Sequence, residues 1–294
     1  MAFDTFTLAR GKITATNRRD WFRLMVNGAY VFGHAHRRLM RATGSNDRQR
    51  LHRAEKRWAR TTETALDLTV ETSGLHHVDP SRSYVVLPLH EGFADLLAIQ
   101  HLPLAMVYAA AEELFDWGYL GPYLRASGQP SVSRTNGPQA YRALLREGKA
   151  AAARSESLVV FPQGSVLGIE TEFSGGAFRA AKHLDMPILP VVLTGSSTVW
   201  DYPFSTDIHF GRTIRMEVLA AIPADHAVTI AEELETEMKN RALNASPGPR
   251  RYAPERDGWW DGYRFEIDPR FPELEQRVEQ HRDGLKLSAV NRRP

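Results

Sequence analysis

The chain has 294 residues, of which 43% are apolar and 24% are charged, and it contains no cysteine. This length allows one large α/β domain with an accessory segment. The absence of cysteine excludes structural disulfides, thiolate catalysis and thiolate metal sites. No apolar run reaches the roughly 18 residues of a membrane-spanning helix, and the first residues lack the apolar core of a signal peptide. We therefore expect a cytoplasmic protein.

The net charge of +2 is unevenly distributed along the chain. Residues 1–60 hold 14 Lys/Arg and 4 Asp/Glu, so the first fifth is strongly basic and the remainder is mildly acidic. A basic segment of this kind indicates an anionic partner, either nucleic acid or an anionic membrane surface, or else no more than a solvated helix surface.

The first predicted helix spans residues 20–42, and a second spans residues 47–67. In the first helix, apolar residues recur at the three- and four-residue spacing of one helix face, with arginines opposite. This pattern suits a helix lying in a membrane interface, and it also suits a helix packed on its own domain. The predicted apolar face comprises Trp21, Leu24, Met25, Gly28, Val31, Phe32, Ala35 and Leu39.

From about residue 69, short apolar runs alternate with helical stretches. A hairpin is predicted over 207–219, turning near Gly211 and Arg212, and a helix follows it to about residue 242. The alternation indicates an α/β fold in which helices cover a mixed, mostly parallel sheet, preceded by an N-terminal helical segment. The other predicted strands are 84–87, 104–110, 131–133, 158–161 and 188–193, and the other predicted helices are 138–148 and 176–184.

Three parts are predicted along the chain. Residues 1–68 form a helical segment with a possible role at membranes, and residues 69–244 form the α/β domain. Residues 245–294 are rich in Pro, Gly, Arg and aromatic side chains, so we expect an irregular wrap with a short helix at about 272–283. The aromatic residues expected to be buried by this wrap are Trp259, Trp260, Tyr263 and Phe265.

The strongest local feature is a histidine that follows a buried strand, His90, with an aspartate five residues later, Asp95. Ligand crevices in open α/β sheets form at the carboxyl ends of strands. Asp95 can turn back and hold one imidazole nitrogen, which leaves the other free to take a proton from a hydroxyl. Taken alone, this pair is more typical of a satisfied histidine and a helix-capping aspartate.

Three further motifs lie near the ends of predicted strands. Residues 161–165 (FPQGS), with Gly176 opening the next helix, allow close backbone approach and offer free amides to an anion or a polarised carbonyl. Arg134 ends the segment 128–134 and can bind a phosphate through two hydrogen bonds. Residues 186–192 (MPILPVV) form a core strand between prolines.

In order and spacing, these four motifs resemble the four sequence blocks of the glycerolipid acyltransferases, the glycerol-3-phosphate and 1-acylglycerol-3-phosphate acyltransferase superfamily. His90 and Asp95 match the His-x-x-x-x-Asp of the first block. Residues 128–134 match the second block, which ends in Arg. Residues 161–165 match the Phe-Pro-Glu-Gly-Thr of the third, and residues 187–190 match the fourth. The resemblance covers about residues 65–220.

The resemblance implies an O-acyltransferase that moves a fatty acyl group from acyl-CoA or acyl-carrier protein to a hydroxyl of lysophosphatidate or a related lysophospholipid. It implies His90 as general base and Asp95 as its orienting partner, with no acyl-enzyme and no cofactor. No metal site is expected, because the adjacent His76 and His77 have no third ligand at a usual spacing. The implied partners are the acyl thioester donor, a lipid-like acceptor and a membrane surface that the protein contacts peripherally. The residues expected to bind the acceptor are Arg134, Gln163, Gly164 and Ser165.

Two departures from the family pattern leave the acceptor open. Gln163 stands where the family has Glu, and Val166 stands where many members have an Arg thought to meet phosphate. One alternative is therefore the same chemistry on a non-phosphorylated lipid, sugar or specialised metabolite. Another is a catalytically silent, membrane-binding member of the fold.

Two other classes are not expected. The basic residues of the N-terminus lie on predicted helices without a recognisable recognition module, so nucleic acid is not an expected partner. Ser165 lacks both flanking glycines of the Gly-x-Ser-x-Gly turn, which argues against a serine hydrolase.

Overall fold

The structure is a computed structural model, and it describes residues 3–8, 11–45, 47–133, 136–164, 171–200, 207–245 and 270–271. The α-helices are α1 (Arg18–Gly28), α2 (His36–Thr43), α3 (Arg48–Leu66), α4 (Asp95–Ile99), α5 (Leu120–Ser127), α6 (Gly137–Ala153), α7 (Gly175–Leu184) and α8 (Ala231–Ala245). The strands are β1 (Phe3–Leu8), β2 (Gly11–Ala15), β3 (Thr69–Ser73), β4 (Val85–Pro88), β5 (Met106–Tyr108), β6 (Ala110–Ala111), β7 (Ser131–Val132), β8 (Ser157–Val159), β9 (Ile188–Thr194) and β10 (Thr213–Val218).

The main sheet has six strands in the order β3-β10-β9-β4-β8-β5. The four strands β9, β4, β8 and β5 run parallel, while β10 is antiparallel to β9 and pairs in parallel with β3. Parallel neighbours need crossover connections, and α4 to α7 lie in these connections. This arrangement confirms the predicted α/β fold with a mixed, mostly parallel sheet.

Both faces of the sheet are buried, because successive side chains of a strand point to opposite faces. Val85 and Leu87 of β4 pack in a core cluster with residues of α6, α7 and α8. Val86, between them, packs in a second cluster with residues of α4 and its flanking turns. Burial on both faces explains why the central strands have continuous apolar sequences.

The hairpin predicted at 207–219 is wrong. The structure has a single strand there, β10, which pairs with β9 on one side and with β3 on the other. Asp207 instead makes an isolated bridge with Thr14 in β2. Gly211 has a φ of +66°, so a turn is present. The segment before this turn is a loop and not the first strand of a hairpin.

The first predicted helix is present as α1, a π-helical stretch over Ala29–Ala35, and α2. Its predicted apolar face packs against the protein and not outwards: Leu24, Val31 and Leu39 are all buried. The exposed large apolar residues of this region lie on a different face, because Phe22, Val26 and Tyr30 repeat every four residues. Trp21, predicted to lie on the same apolar face as Leu24, Val31 and Leu39, is exposed instead.

The predicted helix after residue 136 is present and longer than expected, ending at Ala153. Asn136 caps it by accepting the N–H of Gln139, and Pro138 lies in its first turn. The predicted helix at 272–283 and the aromatic residues at 259, 260, 263 and 265 lie outside the described residues. Within the described part of the chain, no helix combines the length and apolar character needed to cross a membrane.

Candidate active site

His90 lies just beyond the carboxyl end of β4, in the middle of the main sheet. All four residues of β4 are buried, so the sheet fixes the direction of the chain as it leaves the strand. The N–H of Leu89 donates to the carbonyl of Val191 at 2.8 Å, which continues the pairing with β9 past Pro88. The sheet therefore holds His90, whose residue is 9% exposed, at a defined position next to a cavity.

Asp95, the first residue of α4, turns back onto His90. Its Oδ2 lies 2.7 Å from His90 Nδ1. The same oxygen accepts the backbone N–H groups of Glu91 at 2.6 Å and Gly92 at 3.0 Å. Asp95 is fully buried, and a buried carboxylate needs such donors. We assign the proton to Nδ1, which donates to the carboxylate, so His90 Nε2 keeps its lone pair.

The ring of Phe161 holds the imidazole from a second side. The two ring centroids are 3.9 Å apart and the planes differ by 27°, a stacked arrangement. Phe161 is the first residue of the third motif, so this contact joins the first and third motifs. Among the described residues, nothing forms a hydrogen bond with His90 Nε2, and His90 lines the cavity. A hydroxyl that enters the cavity can donate its proton to Nε2.

Glu91 ties the loop that carries His90 to the end of β9. Its side chain is buried, and Oε2 accepts the N–H of Gly195 at 3.0 Å, 104 residues away in sequence. Gly195 has a φ of +91°, and a Cβ there would overlap the carbonyl oxygen of Thr213. Sequence reasoning assigned no role to Glu91, because no local pattern connects it to Gly195.

His90 and Phe161 line a cavity of about 1720 Å³. This volume exceeds the roughly 300–1,000 Å³ of ordinary small-molecule sites, so it can hold a long substrate or two substrates together. One part of the cavity is bounded by α2, α3, α4 and α5, and its lining is mainly aliphatic and aromatic. Large apolar residues of this part include Leu39, Trp58, Leu96, Leu114, Leu120 and Leu124.

The other part of the cavity is bounded by the third motif and by the first turns of α6 and α7. Gln163 and Gly164 line it, so the structure brings these two predicted site residues together with His90. Gly164 has a φ of +66°, and its N–H donates to the carbonyl of Phe161 at 3.1 Å, which closes a tight turn. The other two predicted acceptor-binding residues, Arg134 and Ser165, lie outside the described residues.

A buried polar network adjoins the apolar part of the cavity, and sequence reasoning missed it. Glu55 in α3 accepts a hydrogen bond from the Tyr123 hydroxyl and lies 2.9 Å from His52 Nδ1. His52 Nε2 lies 2.8 Å from Glu156, beside the start of β8. Burial lowers the pKa of His52, but its hydrogen bonds to Glu156 and Glu55 outweigh burial and raise this pKa above 6.5. The network therefore attaches α3 to the sheet through charged groups.

Side chains suited to metal binding are not grouped in the part of the chain that the structure describes. No set of three or more His, Cys, Asp or Glu residues there is arranged to hold a metal ion.

Part of the chain is similar to known acyltransferases. The profile of a family described as Acyltransferase matches residues 69–194. The chain is 30% identical over 130 residues to human 1-acyl-sn-glycerol-3-phosphate acyltransferase alpha, an alignment that covers 43% of this chain and 46% of the human protein. It is 28% identical over 121 residues to the 1-acyl-sn-glycerol-3-phosphate acyltransferase of Bacillus subtilis, covering 39% and 57% of the two chains. The chain thus spans about half the length of the curated relatives it matches.

A solved structure shares the fold. The crystal structure of the 1-acyl-sn-glycerophosphate (LPA) acyltransferase PlsC from Thermotoga maritima superposes with a TM-score of 0.61 at 16% sequence identity. The superposition covers 76% of this chain and 94% of that one. The four ordered motifs, the family match and the shared fold agree. Residues 69–194 thus match the acyltransferase family, and over this domain the chain is similar to the glycerolipid acyltransferases.

Proposed function

We propose that the protein transfers a fatty acyl group from acyl-CoA or acyl-carrier protein to a hydroxyl of lysophosphatidate or a related lysophospholipid. The observation that carries the proposal is the hydrogen bond between His90 Nδ1 and Asp95 Oδ2, made beside a cavity large enough for two substrates. The choice of acceptor is supported by the relatives named 1-acyl-sn-glycerol-3-phosphate acyltransferases.

In the proposed reaction, His90 is the general base. Nε2 takes the proton of the acceptor hydroxyl as its oxygen attacks the thioester carbonyl carbon, and the electron pair of the carbonyl moves to oxygen. When the carbon–sulfur bond breaks, the thiolate leaves and takes the proton from the imidazolium. Asp95 keeps Nδ1 protonated and stabilises the positive charge on the ring. The acyl group goes directly to the acceptor, so no covalent acyl-enzyme forms.

An acceptor panel tests the proposed function. The full chain is incubated with palmitoyl-CoA or palmitoyl-acyl-carrier protein as donor. The acceptor in separate reactions is lysophosphatidate, lysophosphatidylcholine, monoacylglycerol or none, and free thiol and acylated lipid are both measured. We expect thiol release and a matching acylated product with lysophosphatidate or another lysophospholipid. Activity confined to monoacylglycerol would favour a non-phosphorylated acceptor, and no activity with either donor type would favour a silent member of the fold.

Peripheral membrane contact is part of the proposal, and α1 with the start of the π-helical stretch is its best-supported surface. Phe22 is 64% exposed, while Val26 and Tyr30 are each 52% exposed. These three side chains form one stripe because they repeat every four residues. Exposed arginines flank the stripe on both sides in sequence, at 18, 19, 37, 38 and 41. Apolar side chains with nearby cations suit a helix lying on an anionic lipid surface.

Replacing the apolar stripe should weaken membrane binding without unfolding the protein. We expect Phe22→Ser combined with Val26→Ser to lower binding to vesicles containing phosphatidylglycerol by about tenfold, since each exposed side chain adds buried apolar area in the membrane. Vesicle flotation measures the bound fraction. Val228→Ser is the matched control, because Val228 is also exposed but lies near the start of α8. Equal loss in both variants, or none in either, would rule out this surface.

Glu91 provides a test of how the site is held together. We expect Glu91→Ala to lower kcat about tenfold to a hundredfold, because the loop that carries His90 loses its bond to Gly195 and misplacement of about 1 Å is costly. Glu91→Gln keeps an oxygen for the Gly195 N–H and should retain most of the activity. Thermal melts establish that both variants are folded. Equal losses in the two variants would contradict a positioning role for this hydrogen bond.

A further inference from the structure

Arg179 in α7 lies in the same part of the cavity as the third motif. Of the described residues that line the cavity, it is the one lysine or arginine. Gln163, Gly164 and Gly176 line the same cavity, and the Ser174 N–H donates to the carbonyl of Pro162 at 2.8 Å, which joins the start of α7 to the third motif. The cavity therefore contains a permanent positive charge on the side where the acceptor is proposed to bind.

The Arg179 guanidinium is available to a ligand. None of the described carboxylates forms an ion pair with it, and its side chain is exposed. Its Cζ lies 5.8 Å from the centroid of the Tyr141 ring. The Tyr141 hydroxyl in turn lies 2.7 Å from His183 Nδ1, which restrains the ring on which the guanidinium rests. An arginine supported by an aromatic ring keeps its planar set of donors in position.

Gly175 leaves the space that the guanidinium occupies. A Cβ built on Gly175 would lie 3.1 Å from Arg179 Nη1, tighter than ordinary van der Waals contact. A side chain at Gly175 would therefore shift the guanidinium by a few tenths of an ångström. Glycine at the first position of α7 therefore lets the Arg179 guanidinium keep its present position.

The other charged side chains in the described lining of the cavity are carboxylates. Glu172 lies in the same part of the lining, and Glu55 and Glu113 line the cavity farther along. Carboxylates disfavour an anionic ligand, so among the described lining residues Arg179 is the side chain that offers an anion a permanent positive charge. Gln163 contributes hydrogen-bonding capacity without charge.

We propose that Arg179 binds the anionic headgroup of the acceptor and determines the preference for anionic over neutral acceptors. The proposal rests on the proposed acyl-transfer function and deepens it by naming an acceptor-binding residue. A phosphate monoester fits the donor set, because a guanidinium can donate two parallel hydrogen bonds to two phosphate oxygens.

The test compares Arg179→Gln, Arg179→Lys and the wild-type chain, using palmitoyl-CoA with lysophosphatidate or with monoacylglycerol. In Arg179→Gln we expect the KM for lysophosphatidate to rise about tenfold to a hundredfold, with kcat and the KM for palmitoyl-CoA within about threefold of wild type. In Arg179→Lys the KM for lysophosphatidate should rise less, because lysine keeps the charge but cannot donate two parallel hydrogen bonds. Turnover of monoacylglycerol should not fall. Lys182→Gln, an exposed change on the same helix outside the cavity, is the matched control.

The outcomes separate this proposal from the proposed function. An unchanged KM for lysophosphatidate in Arg179→Gln, while the wild type turns over normally, overturns the role of Arg179 and leaves acyl transfer intact. A rise confined to the KM for palmitoyl-CoA also overturns it, because the cation then binds the donor. If the wild type transfers no acyl group to any acceptor, the proposed function itself fails. A fall in the preference for lysophosphatidate over monoacylglycerol supports the proposal.

Discussion

His90→Ala is expected to lower kcat for acyl transfer by about a thousandfold, the middle to upper part of what a positioned general base contributes. The variant loses Nε2, the atom that accepts the proton. Among the described side chains, His90 is the base that Asp95 and Phe161 hold in place. The KM values of donor and acceptor should stay within about threefold, because His90 is a small part of the cavity lining and the other lining residues are unchanged. Release of free thiol in the presence of lysophosphatidate measures the effect.

The control for His90→Ala addresses folding. Removing the ring leaves Phe161 without its stacking partner and leaves Asp95 with a vacant acceptor position, so some loss of stability is expected. His90→Gln fills much of the same space and can donate to Asp95, but it cannot accept a proton at neutral pH. Both variants should therefore be inactive, with melting temperatures closer to wild type in His90→Gln. Turnover close to wild type in either folded variant would show that His90 is not the base.

Asp95→Asn is expected to lower kcat by about a hundredfold to a thousandfold. Oδ2 of Asp95 accepts hydrogen bonds from His90 Nδ1 and from two backbone N–H groups. If the asparagine oxygen takes these donors, the negative charge that stabilises the imidazolium is lost. If its amide nitrogen faces the ring instead, Nδ1 must accept, and Nε2 carries the proton that should come from the substrate. Either orientation weakens the base, and steady-state kinetics measure the loss.

Asp95 also has a structural role, so the kinetic effect needs a separate readout. The residue is fully buried, and replacing a charged acceptor of three hydrogen bonds should cost about 1–3 kcal/mol of stability. The value of kcat per folded molecule separates the two roles, because loss of the carboxylate charge should lower kcat even under conditions in which the variant is fully folded. A loss of activity that only follows the unfolded fraction, as thermal melts measure it, would contradict the orienting role.

The central strands could be predicted from sequence because each one is a continuous apolar run that can be recognised without knowing its neighbours. The apolar runs at 84–87, 158–161 and 188–193 overlap β4, β8 and β9, since strands covered on both faces need continuous apolar residues. The helix after Asn136 was equally predictable, because its cap and its proline lie within three residues. The His90–Asp95 contact spans five residues, so its spacing could be recognised locally.

Features that depend on distant residues could not be predicted. The pairing of β10 with β3 joins segments about 140 residues apart, whereas Gly211 alone favoured a hairpin. The stacking of Phe161 on His90 and the bond from Gly195 to Glu91 exist only after the sheet has assembled. The helical period located an apolar face in residues 20–42. It could not tell that this face packs inward while Phe22 and its stripe remain exposed.

The central claim is direct acyl transfer to a lipid hydroxyl, and one assay tests it most directly. The purified full chain is mixed with vesicles, lysophosphatidate and radiolabelled palmitoyl-CoA, and free thiol, labelled phosphatidate and labelled protein are measured in the same samples over time. The account predicts thiol and phosphatidate in equal amounts, with no label on the protein. Thiol released with labelled free fatty acid instead of phosphatidate, or label bound covalently to the chain before product appears, would contradict it.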